Sequence, residues 1–388
     1  MKKLLFVINH MNMGGIQKAL VELLKSIDGR YDVYLLCIRP NGVLLDEIPS
    51  SIHILKASKM LLASELSSQE TKQLGLITYS MRIIASVWTK VFSKRLPAYI
   101  ITKYMQKSLG KFDVAISYTQ PIRSKRLFNL SNEVVLNSCQ AEKKVSFIHC
   151  DYANYGGNDA VNQRIYKKMD LIAAVSESVG KCLIEQIPEV ADKVITVRNC
   201  CNQDDIMSLS EVDTVFYKEK YPIVTVARLS EEKGLVRCVS MIAKLKAEGF
   251  DIKWHIIGAG PEEDRLKKEI LNYQADEYVI LHGEQKNPYR FMKNAKLFLL
   301  PSFHEAAPMV FDEASCLKIP ILSTETTSAI EMVEKQGNGW VCKIDDNSLL
   351  LKLENVLFQL DAFSVSKKDA KWRDIPLNQF VSMIEKQN

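Results

Sequence analysis

Residues 221–234 run Tyr221-Pro222-Ile223-Val224-Thr225-Val226-Ala227-Arg228-Leu229-Ser230-Glu231-Glu232-Lys233-Gly234. The run Ile223–Ala227 is β-branched and not alternating, so it reads as a strand covered on both faces, the mark of a parallel sheet between helices. A helical pattern, Val236–Lys246, leads on to a second such run at Ile252–Ile257. Strand, turn, helix, strand is the unit of an α/β fold. Arg228 stands at the strand's carboxyl end, and Lys233 follows five residues later, before a glycine. Two cations at the rim of a parallel sheet suit a diphosphate, one as a planar fork and one as a point charge. Taken alone they read better as a surface pair beside Glu231 and Glu232.

The same unit recurs in both directions. Later runs lie at Val279–Leu281, Leu297–Leu300, Ile319–Leu322 and Trp340–Cys342. Earlier ones lie at Leu4–Ile8, Val33–Ile38, Val114–Ser117, Val145–His149, Leu171–Val175 and Val194–Val197. The 388 residues fit two domains of ordinary size. A polar stretch interrupts the alternation, so the expected organisation is a first domain over 1–200, a linker over 201–220 and a second domain over 221–360. A helical tail over 361–388 would pack back on the first domain.

The composition, 47% hydrophobic and 25% charged, is that of a globular chain, and the net charge of +5 is too small to argue for nucleic acid. Nine cysteines form no CxxC pair and no metal-ligand spacing with histidine, which fits reduced thiols in a cytoplasmic protein. The start, Met1-Lys2-Lys3-Leu4-Leu5-Phe6-Val7-Ile8, is too short in its apolar run for a signal peptide and reads as a buried strand. No run approaches the length of a spanning helix. One segment stands apart: residues 71–112 contain no Asp or Glu but carry Lys72, Arg82, Lys90, Lys94, Arg95, Lys103, Lys107 and Lys111. Ile84, Val87, Trp88, Val91 and Phe92 share one helical stripe there, the make-up of a helix in a lipid headgroup layer. A core-facing helix with a basic solvated side has the same pattern.

Three more features carry chemistry. Gly14-Gly15 follows the first strand and opens a helix, where backbone N–H groups and the helix dipole favour an anion. Gly258-Ala259-Gly260-Pro261 ends another strand; it lacks the third glycine of a dinucleotide fingerprint. In Pro301-Ser302-Phe303-His304-Glu305-Ala306-Ala307-Pro308-Met309-Val310-Phe311-Asp312-Glu313, Glu305 lies on a loop and Glu313 on the helix opened by Pro308. Both carboxylates are expected to face one crevice and to accept hydrogen bonds from hydroxyl groups.

These features, in this order, resemble the family-4 retaining glycosyltransferases of the GT-B fold, most closely from Tyr221 to Val341. The resemblance implies an α/β architecture of two Rossmann-like domains whose parallel sheets face a central cleft. It implies a nucleotide-sugar donor, expected to be a UDP-sugar, whose diphosphate is met by Gly14, Gly15, Arg228 and Lys233 without a metal ion or further cofactor. Gly258, Met309 and Val310 would border the donor, Glu313 would hold the ribose, and Glu305 would contact the transferred sugar. His149, after an N-domain strand, matches the histidine beside that sugar. The pattern departs from the family at Ala306-Ala307-Pro308, at Thr326-Thr327-Ser328-Ala329-Ile330 and at Asn199-Cys200, where glycines are usual. The implied activity is hexosyl transfer to a hydroxyl of a glycan or polyprenyl-diphosphate-linked acceptor in surface polysaccharide synthesis, at the inner face of the cell membrane. Two other readings stay open: a nucleotide-sugar epimerase drawing on Glu331 and His282, and a non-catalytic nucleotide-sugar-binding partner subunit.

Overall fold

The computed structural model describes residues 1–365 and 370–386. The chain divides into two units, Met1–Cys200 with Asp374–Asn388, and Cys201–Arg373. Strands of the first are β1 (Lys3–Ile8), β2 (Asp32–Cys37), β3 (His53–Leu55), β4 (Lys111–Ser117), β5 (Gln140–Ile148), β6 (Leu171–Ala174) and β7 (Val194–Thr196). They form one parallel sheet in the order β3-β2-β1-β4-β5-β6-β7. Strands of the second are β8 (Tyr221–Val226), β9 (Ile252–Ile257), β10 (Val279–Leu281), β11 (Leu297–Leu300), β12 (Ile321–Thr324) and β13 (Gly339–Cys342). They form a second parallel sheet in the order β10-β9-β8-β11-β12-β13. Each unit is thus Rossmann-like. Only β3 escapes the sequence pattern: it is a three-residue edge strand without a fully buried residue, too short for periodicity to register.

Burial on both faces explains the missing alternation. In the second unit Ile223, Trp254 and Ile256 enter one apolar cluster, while Val224 and Ile257 enter another on the opposite face. Thr225 is tolerated in this run because its hydroxyl donates to the Leu299 carbonyl at 2.6 Å and accepts the Trp254 indole N–H at 2.9 Å. Both buried polar groups are therefore satisfied. In the first unit the helix Gly15–Ser26 lays Ala19, Leu20, Val21, Leu23 and Leu24 against the sheet.

Residues 201–220 are not an extended tether. Their helix Gln203–Ser210 places Ile206 in the second unit's apolar core. Beyond it, the Val215 amide donates to the Arg290 carbonyl at 3.0 Å and the Tyr217 hydroxyl to the Phe291 carbonyl at 2.5 Å. At the other end, the helix Ala370–Glu385 returns to the first unit. Phe380 stacks on Phe6 at 6.0 Å, and Lys2 and Lys143 donate to the Ile384 and Met383 carbonyls at 2.9 and 3.0 Å. Cations suit those last carbonyls, which have no intrahelical partner. Residues 366–369 and 387–388 of the expected tail lie outside the described residues.

Both sheets have a point where the strand order reverses, and ligands of open α/β sheets bind at the carboxyl ends beside it. In the first sheet it lies between β1 and β4, in the second between β8 and β11. Arg228 and Lys233 follow β8, and Glu305 follows β11. Two glycines bring the second unit's loops together. Gly258 has φ +142°, and a Cβ there would fall on the Ala227 carbonyl; Gly234 has φ +63°, and its Cβ would fall on that of Pro301. Gly14, by contrast, is extended at φ 176°, and nothing lies within 4 Å of a Cβ built on Gly15. The φ of Gly14 therefore sets no need for glycine; a Cβ there would meet the Gln17 side-chain oxygen at 2.6 Å, while Gly15 leaves open space.

Gly258→Ala is expected to cost about 1–3 kcal/mol through backbone strain alone. Gly15→Ala is expected to change stability by no more than about 0.5 kcal/mol. Urea unfolding of the two variants side by side checks this; equal stabilities would show that the close approach at Gly258 is dispensable.

Candidate functional site

In the second unit the site is built from the loops that flank the reversal. A short helical turn, Glu231–Lys233, is closed by Gly234 and tied to the loop after β11, where the Phe303 amide donates to the Glu232 carbonyl at 2.8 Å. This brings Lys233 against Glu305. They form an ion pair, and the Ser302 hydroxyl donates to the same carboxylate oxygen at 2.8 Å. Both side chains are largely buried, so the pair is held in a medium where charges act strongly. Arg228 is exposed and has no ion pair among the described residues. Its charge is nevertheless felt. Burial pushes the Glu232 carboxyl up, but the Ser230 hydroxyl, its own backbone, Lys233 and Arg228 together bring it below its ordinary value.

Glu313 follows Glu305, on the helix that Pro308 opens. It is almost fully buried on the helix Met309–Cys316, and it accepts from the Tyr289 hydroxyl at 3.4 Å. That helix has no side-chain cap, so the first-turn N–H groups at Met309 and Val310 are without intrahelical acceptors. The altered loops support each other: the Thr327 amide donates to the Glu305 carbonyl at 3.2 Å, and the Thr324 hydroxyl donates to the Ser302 carbonyl.

Arg237 was not singled out by its sequence, although it lies one helical turn after Lys233. Its guanidinium donates to the Pro301 carbonyl at 2.8 Å, pairs with Asp346 at 2.9 Å and lies 4.1 Å from the Phe303 ring centre. It braces the loop that carries Glu305. A second unforeseen group is a chain from Glu219 through His255 to His282, with contacts of 2.7 and 3.0 Å. Burial and the neighbouring His255 and Arg290 charges push His282 down to about 4, and burial lowers His255. With both rings neutral, Glu219 accepts from His255 Nε2, so His255 Nδ1 accepts from His282 Nε2. His282 is therefore spoken for within this chain, and Glu331 is buried; neither stands as a free acid or base.

In the first unit, Asn9 and His10 follow β1, Tyr118 follows β4 and His149 follows β5, all on one edge of the sheet. The His149 ring lies 4.9 Å from that of Tyr118. Burial pushes it down to about 3, against a hydrogen bond to the Tyr118 backbone that acts the other way. The ring is thus neutral near pH 7, and its buried Nε2 has no hydrogen-bond partner among the described residues. The geometry suits it to accept a hydrogen bond from a hydroxyl and not to carry a proton.

A pH dependence follows from that burial. Unfolded, His149 would titrate near 6.5; folded, it does so near 3. The unfolded chain binds the extra proton between those values, so stability is complete above the upper one and falls as pH drops toward the lower. In His149→Asn the slope of unfolding free energy against pH over that window is expected to decrease by up to about one proton. Urea titrations at several pH values measure it, and an unchanged slope would mean the ring is already solvated.

Residues 210–359 match the family described as Glycosyl transferases group 1. The putative colanic acid biosynthesis glycosyltransferase WcaL of Escherichia coli is 33% identical over 147 residues, 36% of each chain, so this chain matches about a third of that relative's length. A Campylobacter jejuni protein, N-acetylgalactosamine-N,N'-diacetylbacillosaminyl-diphospho-undecaprenol 4-alpha-N-acetylgalactosaminyltransferase, is 24% identical over 96% of this chain and 95% of its own. Among solved structures, HepE of Anabaena in complex with UDP aligns with a TM-score of 0.63 at 14% identity, covering 99% of this chain and 95% of that one. TarM of S. aureus, crystallised with UDP among its ligands, aligns at 0.65 and 12% identity with full coverage of both. The chain has the GT-B glycosyltransferase fold, and the stretch similar to Glycosyl transferases group 1 lies within its second unit.

Proposed function

We propose that the protein is a retaining, family-4-type glycosyltransferase that moves a hexosyl group from a UDP-sugar to a hydroxyl of a glycan or lipid-linked acceptor. The observation that carries the reading is the Lys233–Glu305 pair beside exposed Arg228 at the reversal point of the second sheet. As the bond from anomeric carbon to phosphate oxygen breaks, negative charge gathers on the diphosphate. Arg228, Lys233 and the amides of Met309 and Val310 are the groups that would receive it, in place of a metal ion. Glu305 both orients Lys233 and offers an acceptor to the sugar hydroxyls; Glu313 would serve the ribose. The acceptor oxygen bonds to the anomeric carbon on the face the diphosphate leaves, and its proton passes to the departing phosphate oxygen. For the first unit, the proposal keeps Gly14 and Gly15 as backbone donors to phosphate and His149 Nε2 as an acceptor for a sugar hydroxyl.

The names of the relatives support surface-polysaccharide synthesis and, for the Campylobacter jejuni protein, a diphospho-undecaprenol acceptor. No helix among the described residues is long and apolar enough to cross a membrane; the proposal has segment 71–112 meet its inner face from outside the bilayer.

Calorimetric titration with UDP is expected to show binding that Lys233→Ala weakens by about 30-fold or more, the scale of truncating one partner of a buried charge pair. Donor hydrolysis is expected to persist in EDTA. Loss of all turnover on chelation, or full activity in Lys233→Ala, would overturn the assignment. Incubation with UDP-sugars and a lipid acceptor separates transfer from interconversion and from binding alone.

A further inference from the structure

The helix Leu76–Val91 is inside out for a protein in water. Its buried residues are two threonines, Thr78 and Thr89, and the Thr89 hydroxyl has to bond back to the Ala85 carbonyl at 2.7 Å. The exposed stripe is Ile84, Val87, Trp88, Val91 and Phe92, each between 41% and 68% accessible. Such a face is stable against an apolar neighbour and costly in water.

The stripe ends in a collar of cations. Lys94, just beyond it, is wholly buried against Glu133 at 2.9 Å, and its amide donates to the Ser124 carbonyl at 2.7 Å. Lys125 donates to the Val91 and Phe92 carbonyls at 2.9 and 2.7 Å, capping the helix. These bonds hold the loop after β4 against the helix end. Around the junction stand Lys90, Arg95, Arg123 and Arg126, all exposed and with no carboxylate partner among the described residues. Of the acids close by, Glu133 is paired with Lys94, and Asp159 accepts from the amides of Ser124, Val161 and Asn162. Arg123 is seated: its Nε donates to the Gly156 carbonyl at 3.1 Å, and a Cβ at Gly156 would crowd its guanidinium at 3.0 Å. Its terminal nitrogens remain available.

Resting on the lipid-linked acceptor reading above, we propose that this junction binds the diphosphate of a polyprenyl-diphosphate-linked acceptor. The apolar stripe enters the acyl layer, and Lys90, Arg95, Arg123 and Arg126 take the phosphates at headgroup depth. Three planar guanidinium forks suit a diphosphate better than a singly charged headgroup does. The loop that carries Arg123 and Arg126 leaves β4 at the reversal point, where such sheets bind ligands. A second copy of the chain is disfavoured as the occupant, because segment 71–112 has no acid and would face its own cations.

The test uses the full chain and flotation with three kinds of vesicle: phosphatidylcholine alone, phosphatidylcholine with phosphatidylglycerol, and phosphatidylcholine with a polyprenyl diphosphate at matched charge. Wild type is expected to prefer the diphosphate vesicles. Arg123→Gln with Arg126→Gln is expected to abolish that preference, so that the two anionic vesicles at matched charge are bound alike. Val87→Ser with Phe92→Ser, both exposed and safe for folding, is expected to weaken binding to every vesicle. Equal binding to the two anionic vesicles, an unchanged preference in the arginine variant, or a dimer abolished by the serine variant would overturn the proposal. UDP titration of the same proteins reports on the donor reading separately.

Discussion

Backbone packed on backbone is the constraint from which the second unit's site follows. Gly258 lies on the Ala227 carbonyl and Gly234 on that of Pro301, at separations no side chain would permit. Because the loops are held this closely, Lys233 meets Glu305 although 72 residues separate them in sequence. The pair is then braced from below by Ser302 and Arg237. Holding two long charged side chains in one geometry costs entropy and desolvation, so the ion pair adds little to stability by itself. It places a cation and an acceptor side by side before any ligand arrives. Catalytic stabilisation of a leaving anion benefits from donors that need not rearrange.

Buried histidine is the recurring electrostatic theme. His149, His255 and His282 lie in different parts of the chain, yet burial is the leading cause of the lowered pKa in each. Neutral rings are hydrogen-bonding groups with one donor and one acceptor. That property ties His282 to His255 and Glu219, and it leaves His149 as a fixed acceptor at a sheet edge. Transfer in which the leaving phosphate takes the proton asks nothing more of the protein.

The first unit joins two opposite uses of charge within a few residues. Lys94 is fully buried and neutralised by Glu133, which pins the helix end to the core. Burial also pushes the nearby Glu65 carboxyl up to about 7, although an amide bond from Asn129 and the charges of Arg39 and Lys94 oppose the shift. The neighbouring Lys90, Arg95, Arg123 and Arg126 remain in solvent. The acid-free segment therefore supplies the structural Lys94 beside the accessible Lys90 and Arg95, the loop after β4 adds Arg123 and Arg126, and only three-dimensional surroundings tell them apart.

Strand positions were legible in the sequence because most strands leave short apolar runs, and twelve of the thirteen among the described residues coincide with one. The order of charged and glycine motifs was legible too, since each follows a strand directly. Sequence also marked segment 71–112 as unusual, but the same periodicity fits a core helix and a surface helix. Burial settled that question by placing Thr78 and Thr89 inward. The Lys233–Glu305 pair, the Tyr289–Glu313 contact and the Glu219–His255–His282 chain belong to tertiary structure alone. Each depends on which strands lie side by side, and residue spacing along a chain carries no record of strand order.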